Sequence, residues 1–303
     1  MTRPEDGLKS DALRAALRDA LNGKTHELEQ LLMRHGGQKG RGPNQKLAAA
    51  FGVEIGRVPG SVTKLLDKLG RDDAAPNTSR VFLPVAAAHG WAHRLRAGHD
   101  VEAAWAALCE LAGDERSPVR VGVLEALVDL SVHEGAADAL IEHAVGWLEG
   151  DNRELTFCAA ALVIEALGDE RVLTVVRDHE SLLRYLSTML EMIANAPRSA
   201  ARSEGRRRAL TSCAHTLTAV VALVRAGGRG FSWFQAECER AEHPDVRAAL
   251  SQALIKLSSS SHAPSGAVID SLRKTLEASA KPLRDAARVR PGTGRGKRSR
   301  MTR

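Results

Sequence analysis

The sequence predicts an all-α protein: a right-handed α-solenoid of about six or seven helical repeats, followed by a disordered basic C-terminal tail. The first observation is composition, because Leu and Ala dominate the apolar residues and aromatic residues make up only 3% of the chain. The second is a helical pattern that occurs in Asp114–Leu130 and again, 127 positions later, in Ala241–Leu257. The third is the spacing of Gly and Pro, which divides the chain into about fifteen helical stretches joined by short turns.

The two matching segments share an acidic, Pro-bearing turn followed by apolar residues at i, i+4, i+7 and i+8, which form one face of a helix. Asp114 stands six residues before Arg120, whereas Ala241 occupies the matching position before Arg247. An Asp–Arg ladder between neighbouring repeats is therefore left open by the sequence. The aligned pairs are Val119 with Val246, Arg120 with Arg247, Val123 with Leu250, Ala126 with Ala253, Leu127 with Leu254, and Leu130 with Leu257.

Helix boundaries follow from hydrophobic periodicity and from residues that stop helices, such as Gly23, Gly36, Pro197 and Gly227. In chain order, the predicted helices are Ser10–Leu21, His26–Arg34, Pro43–Ile55, Ser61–Leu69, Arg80–Ala97, Val101–Leu111, Pro118–His133, Ala136–Leu148, Asn152–Leu167, Glu170–Arg177, His179–Asn195, Arg206–Ala226, Ser232–Ala241, Pro244–Leu257 and Ala267–Ala280.

The helices group into one main body and a C-terminal extension. Residues 1–257 are expected to form the solenoid, and residues 258–265 a Ser-rich linker. Residues 266–287 are expected to form a terminal helix, and residues 288–303, rich in Gly and basic residues, a disordered basic tail.

The net charge of +6 is unevenly distributed along the chain. Residues 281–303 contain nine Lys or Arg and one acid, which gives this tail +8 and leaves −2 for residues 1–280. Residues 101–180 alone carry −12. The acidic centre therefore disfavours a continuous nucleic-acid groove along the middle of the solenoid, unless its carboxylates face outward.

The sequence also indicates where the protein resides. It has no stretch of 18 uninterrupted apolar residues, and its first residues lack the apolar core of a secretory signal. The four cysteines match no zinc-binding or CxxC spacing and are interpreted as reduced, packed thiols. A cytoplasmic protein without a cofactor, a membrane contact or an evident small-molecule substrate is expected.

Three short motifs are GPNQKLAAAF at 42–51, FLPVA at 82–86 and PDVR at 244–247. Together with the order of helices over most of residues 10–257, they resemble uncharacterised bacterial HEAT-like repeat proteins. The resemblance implies a solenoid that holds another macromolecule. HEAT-like alkylpurine DNA glycosylases are similar in fold only, since their catalytic Asp and stacking Trp match no motif of this sequence.

Two basic segments of the body are candidate anion-binding sites. The Gly-rich loop His35–Lys46 brings Lys39, Arg41 and Lys46 to the start of a helix, where a phosphate can bind; the alternative is a solvated joint. An arginine run between two long helices is expected to form an exposed ridge that clamps phosphates or an acidic protein surface, with a solvated loop as the alternative. The run comprises Arg198, Arg202, Arg206, Arg207 and Arg208.

The tail is the third candidate, through Arg295, Lys297, Arg298 and Arg300. It has no aromatic residues, so weak polyanion binding without sequence preference is expected rather than base-specific reading of single strands. The alternative is a tail that only keeps the protein soluble.

Other candidate residues favour a structural interpretation. His89 and His93 are spaced i, i+4, but nearby residues supply no further metal ligand, so a packed pair is favoured and no metal is expected. The tryptophans are interpreted mainly as inter-helix core, with Trp105 buried and Trp233 partly exposed. No HExxH, GxGxxG or GxSxG motif occurs.

These observations predict a non-catalytic helical-repeat scaffold that binds a macromolecular partner, with an anionic one favoured: a nucleic-acid backbone or an acidic protein surface. The alternative is a DNA glycosylase of the HEAT-like kind. The alternative gains if the acidic residues 101–180 face outward and the basic segments share one concave face with a carboxylate at its centre.

Overall fold

The computed structural model describes residues 10–37, 42–149, 153–197, 200, 202–223, 229–259 and 264–279, with only the backbone of 10, 153–155 and 222–223. Within these ranges the protein is all-helical, with fifteen α-helices, one 3-10 turn and no β-strand. Gly37 and Pro43 form an isolated antiparallel bridge. No described helix combines the length and the apolar character needed to cross a membrane.

The helices are numbered in chain order. They are α1 (Ser10–Leu21), α2 (His26–His35), α3 (Gln45–Gly56), α4 (Thr63–Gly70), α5 (Phe82–Arg96), α6 (Val101–Ala112), α7 (Ser117–Ser131), α8 (Ala136–Trp147), α9 (Arg153–Leu167), α10 (Glu170–Leu173), α11 (His179–Ala194), α12 (Glu204–Leu223), α13 (Arg229–Arg240), α14 (Pro244–Ser258) and α15 (Gly266–Ala278).

Most helices belong to one of two rows. The inner row consists of α3, α5, α7, α9, α12 and α14, each packed against the next. The outer row consists of α4, α6, α8, α11, α13 and α15, which lie against the inner row and against their own neighbours. Helices α1 and α2 pack on each other, and α2 also contacts α5.

Two inner helices are covered on every side. All residues of α5 from Phe82 to Arg94 are buried, as are residues 156–164 of α9. Helices α3 and α7 meet across α5, and Arg120 of α7 reaches Glu204 of α12 across α9 at 2.6 Å. The helices on either side of α5, and those on either side of α9, therefore contact each other.

Small residues permit this close packing. A Cβ atom added to Gly90 of α5 would lie 2.6 Å from Leu66 Cδ2 of α4. One added to Gly122 of α7 would lie 2.7 Å from Val85 Cγ1 of α5. The Ala-rich composition of the inner helices is thus required by the short distances between their axes.

Helix α10 ends at Leu173, before the predicted end at Arg177. The backbone N–H groups of Arg177 and Asp178 both donate to Asp138 Oδ1 of α8, at 3.1 Å each. Asp178 in turn caps α11 by accepting from the Ser181 N–H at 2.9 Å. These bonds to α8 and α11 replace the last turn that the sequence pattern predicts for α10.

The C-terminal segment joins the two rows. Ser258, predicted as the first linker residue, is the last residue of α14. Helix α15 packs against α13 and α14, and Leu276 O accepts from Arg247 Nε at 3.1 Å. The part of the predicted terminal helix beyond residue 279, and the tail, lie outside the described residues.

The two helices matched by sequence bury the same positions. Leu127 is fully buried in α7 and Leu254 is 1% exposed in α14. The other aligned apolar pairs are also buried, which confirms that the alignment identifies equivalent faces.

We expect Leu127→Ala and Leu254→Ala each to lower the free energy of unfolding by about 2–5 kcal/mol, because each leaves a cavity among packed side chains. Chemical denaturation measures this. Ile255→Ala is the matched control, because Ile255 is 58% exposed beside Leu254 and its truncation leaves no cavity. Equal losses for Leu254→Ala and Ile255→Ala would contradict the assigned faces.

Candidate anion-binding surfaces

Three arginines of the body are buried inside the protein rather than exposed on its surface. Arg94, Arg120 and Arg206, called here the buried arginines, are at most 6% exposed and lie on α5, α7 and α12. Each guanidinium bonds at least one backbone carbonyl near a helix joint and one carboxylate from another element. Nε of Arg120 and Nε of Arg206 find no acceptor among the described residues, but the burial of all three guanidinium groups keeps them from presenting a surface to a ligand.

The contacts of Arg120 show how Asp114 and Arg120, the two residues of a possible Asp–Arg ladder, meet in the structure. Its Nη1 donates to the backbone oxygens of Asp114 and Glu115, at 2.9 and 2.8 Å. The Asp114 carboxylate instead bonds the side chain of Arg116. The six-residue spacing therefore brings Asp114 to Arg120 through the main chain rather than through an ion pair.

The arginine run does not form one exposed ridge. Arg206 is buried, with Nη1 2.8 Å from Asp245 Oδ2 and Nη2 donating to Ile193 O at 3.2 Å. Arg208 holds both carboxylate oxygens of Glu165, at 2.9 and 2.6 Å, and this bonding raises the pKa of Arg208. Arg202 and Arg207 are exposed, without an ion-pair partner among the described residues, and Arg198 lies outside those residues. An anion-binding role within the run therefore stays a prediction for Arg202 and Arg207.

The Gly-rich loop borders a cleft of about 800 Å³. Pro43 precedes α3, Phe82 begins α5 and Pro118 lies in the first turn of α7, so three helix N-termini open on this cleft. Helix N-termini carry partial positive charge and favour anions. The remaining lining residues are Gly36, Gly37, Gly42, Pro76, Asn77, Thr78, Ser79 and Val81.

Asn44 fixes the loop at the cleft. Its Nδ2 donates to His35 O at 3.0 Å, its N–H donates to Gly36 O at 2.7 Å, and its Oδ1 caps α3 by accepting from Leu47 N. The loop therefore begins and ends at the cleft, and Lys46 stands exposed in the first turn of α3. Lys39 and Arg41, between these fixed ends, lie outside the described residues.

The tail residues Arg295, Lys297, Arg298 and Arg300 also lie outside the described residues. The structure brings none of the three predicted basic segments together within those residues. The sequence missed the cleft, because segments near residues 36, 78 and 118 form it. One signal was present: a Pro or an N-cap residue at the start of three helices.

His89 and His93 are packed against neighbouring helices. His89 is 1% exposed and pairs through Nε2 with Gln45 Oε1 of α3 at 3.1 Å, while Nδ1 lies 4.0 Å from Asp129 Oδ2. Burial lowers the pKa of each imidazole to about 4. No group of three or more metal-ligating side chains occurs in the described part of the chain.

The thiols and most indoles belong to the core. Three cysteines are buried and Cys109 is half-buried, and burial raises the pKa of the Cys109 thiol to about 11. Trp105 is buried, as expected, and its ring stacks on His143 at 4.5 Å. Trp233 is half-buried, as expected, and donates to Ser187 Oγ at 2.9 Å. Reactive thiols and ligand-stacking indoles are thus disfavoured at these positions.

The acidic centre of the chain faces outward in part. Exposed carboxylates lie on the outer helices α6 and α8, among them Glu102, Glu110, Glu142 and Glu149. Glu165 of α9, the acidic partner of Arg208, is half-buried. Glu125 and Asp129, on the inner-row helix α7, are also half-exposed, so the condition that the acidic stretch faces outward is met only in part. The burial of Arg206 does not support the second condition, a shared basic concave face.

Comparison of the chain with protein-family models, with curated proteins and with solved structures finds no match in any of the three. The likeness to HEAT-like proteins therefore rests on the sequence motifs and stays a prediction.

Arg206→Ala is expected to lower the free energy of unfolding by about 3 kcal/mol, because it breaks a buried ion pair and leaves the Ile193 carbonyl without its donor. Arg207→Ala, one residue away on the exposed face, is expected to change it by less than about 0.5 kcal/mol. Denaturant titration of both variants measures the difference. A similar loss for the two variants would contradict the burial of Arg206.

Stability should fall as the pH drops from about 6.5 towards 4. In this window an unfolded histidine binds a proton, whereas buried His89 and His93 stay neutral, so protons favour the unfolded state. For His89 the slope is at most about 1.4 kcal/mol for each pH unit. Thermal unfolding across this range measures it.

The control for this slope is His99→Gln, because His99 is exposed. His89→Gln should flatten the slope between pH 6.5 and 4.5, whereas His99→Gln should leave it unchanged. An unaltered slope in His89→Gln would show that carboxylates, rather than this histidine, cause the acid sensitivity.

Proposed function

We propose that the protein is a non-catalytic scaffold, a right-handed α-solenoid of HEAT-like repeats that holds an anionic macromolecular partner. The two-row packing supports the repeat architecture, since inner and outer helices alternate along the chain and each mainly contacts its neighbours. The equivalent buried faces of α7 and α14 support the repeat unit.

The observation that carries the anionic partner is the cleft at the N-termini of α3, α5 and α7. It combines three helix dipoles, exposed Lys46 and both fixed ends of the loop that bears Lys39 and Arg41. The lining is uncharged and includes Gly36, Gly37 and Gly42, whose lack of side chains lets main-chain N–H groups approach a phosphate or a carboxylate closely. The tail adds non-specific attraction for polyanions.

The proposed location is the cytoplasm. Its support is that Cys109, Cys213 and Cys238 are free thiols, and that Cys213 and Cys238 are buried in apolar surroundings where they serve packing. A reducing compartment keeps such thiols unpaired.

The DNA glycosylase is retained as the alternative because many exposed carboxylates lie on outer-row helices. The inner row is therefore less acidic than the composition of the chain suggests. The requirement of the glycosylase is a carboxylate at the centre of a basic concave face. Contact between the helices that flank α5, and between those that flank α9, leaves little room for duplex DNA against those two helices. The scaffold is therefore the preferred proposal.

Full-length protein should bind a short DNA duplex weakly and without sequence preference at low salt. Replacing Arg295, Lys297, Arg298 and Arg300 by Gln should weaken binding at least about ten-fold and lower the salt slope by about 3, because phosphate neutralisation releases counterions. Fluorescence anisotropy at several salt concentrations measures both quantities. The matched control replaces four exposed lysines of the body by Gln: Lys24, Lys64, Lys256 and Lys274.

A second variant, Lys46→Gln with Arg202→Gln and Arg207→Gln, separates the body from the tail. Loss of binding in this variant but not in the tail variant would place the nucleic-acid site in the body and would overturn the expected contribution of the tail. Release of a methylated base from duplex DNA by the full-length protein would establish the glycosylase instead. No binding of DNA by any form would leave acidic proteins as the anionic partner class.

A further inference from the structure

We propose that the basic segment 281–303 docks on the body of its own chain, along the C-terminal ends of the outer-row helices and into a cleft between α4 and α6. This intramolecular contact does not depend on whether the tail also binds nucleic acid.

The docking surface is a row of exposed carboxylates, called here the acidic edge. Each outer helix from α6 to α15 contributes one glutamate in its last turn or directly after it, and none forms an ion pair within the described residues. The glutamates are Glu110, Glu149, Glu191, Glu239 and Glu277.

Contacts between neighbouring outer helices bring their ends together in pairs. Asp67 of α4 and Glu110 of α6 line the same cleft. Asp138 of α8 accepts from Asp178 at the start of α11, so these two helices begin together. Ser279, after α15, donates to Ala241 O, after α13, at 3.0 Å. These contacts place the ends of α4 and α6 together, the starts of α8 and α11 together, and the ends of α13 and α15 together. In the proposed docking, the three pairs end along one edge.

The position of these glutamates is unfavourable for the isolated body. Carboxylates at a helix C-terminus face the negative end of the helix dipole, where cations are preferred. Helices α6, α8, α11 and α15 have no basic residue in their last turn to offset this repulsion. A basic strand along the edge would relieve the repulsion at each helix end.

The cleft at the far end of the acidic edge suits an arginine or lysine side chain. It measures about 240 Å³, with Leu66, Trp91 and Leu111 among its lining residues. Its charged lining residues are five carboxylates and two arginines, Arg71 and Arg116, so the lining is acidic on balance. Asp72 and Asp114 pair with Arg80 and Arg116, whereas Asp67 and Asp73 have no ion-pair partner among the described residues. Apolar surface accepts the methylene stem of such a side chain, while carboxylates bind its charged head.

One half-exposed aromatic ring, that of Trp147, lies beside the acidic edge. Trp147 ends α8, two residues before Glu149, and its ring lies edge-on to Trp105 at 6.1 Å. Guanidinium groups favour such a combination of an indole face and a carboxylate. The acidic edge therefore offers contacts that single exposed glutamates do not.

The occupant follows from chain length and charge. The segment 281–303 begins directly after α15, carries nine Lys or Arg against one acid, and so complements the edge at its own end. Five helix spacings of about 8–10 Å separate α15 from α4. The 24 residues after Ser279 span up to about 80 Å when extended, which is enough to reach the cleft.

Carbodiimide cross-linking of the full-length protein tests the docking, because it joins a lysine to a carboxylate only at direct contact. At low salt and low protein concentration, we expect Lys297 to link to Asp67, Asp73, Glu110 or Glu149, and Lys281 to Glu239 or Glu277. The links should disappear at high salt. Mixing isotope-labelled and unlabelled protein separates links within one chain from links between copies.

A variant provides an independent measurement. Glu110→Gln, Glu149→Gln and Glu191→Gln together should increase the rate of tryptic cleavage within the tail by roughly five-fold at low salt. The matched control is Glu27→Gln, Glu102→Gln and Glu170→Gln, which removes the same charge from exposed positions in the first turns of helices. Links spread evenly over edge and control carboxylates, links only between copies, or equal cleavage rates in both variants would overturn the proposal.

Discussion

The architecture depends on guanidinium groups buried at the helix joints. A buried arginine destabilises a fold unless most of its donors find acceptors, and carbonyls at the ends of helices are acceptors without intrahelical partners. Arg94 meets both needs, since it donates to Val58 O and Gly60 O, at 2.6 Å each, and pairs with Asp100. Asp100 has φ 48°, a left-handed conformation that is costly for an aspartate. Burial opposes the ionisation of Asp100, but its hydrogen bond with Arg94 helps to lower the pKa of this carboxyl. One ion pair therefore fixes the end of α5 to the start of α6.

These arginines also set the register between helix pairs. Apolar packing of Ala and Leu is tolerant of small sliding movements, whereas a bidentate or multiply bonded guanidinium has one position. Arg120 fixes the joint before α7 relative to the start of α12, and Arg206 fixes the end of α11 relative to the start of α14. The contact of α7 with α12 across α9 therefore follows from polar contacts as well as from residue size.

The helices themselves could be predicted because hydrophobic periodicity and helix-stopping Gly and Pro residues are local properties of the sequence. Ser10–Leu21 begins and ends as predicted, and most other ends differ by one to three residues. The last turn of α10 was not predictable, because Asp138, about forty residues earlier, removes it by accepting from Arg177 and Asp178. Bonds between distant segments leave no local signal.

The candidate sites were less predictable for a related reason. A run of arginines shows charge density, but only the helix phase shows which members face inward. Arg206 lies on the same face as buried Ala209 and Cys213, at i+3 and i+7, so hydrophobic periodicity already contained this information. The cleft beside Lys46 could not be predicted from hydrophobic periodicity, because it depends on how three helix N-termini lie relative to one another. The Pro and N-cap residues mark each helix start but not this arrangement.

The burial of residues 82–94 of α5 has a consequence for how the protein opens. These residues are covered by α3, α4, α6 and α7 and cannot lose their hydrogen bonds through local fraying, since only Leu95 and Arg96 at the end of the helix reach solvent. Their amide protons exchange only when flanking helices separate, whereas those of α1 and α15 exchange from the ends of the array. Deuterium uptake in α5 therefore measures unfolding of the N-terminal half rather than local opening. A partner that slows this uptake must bind the folded state in preference to the unfolded one.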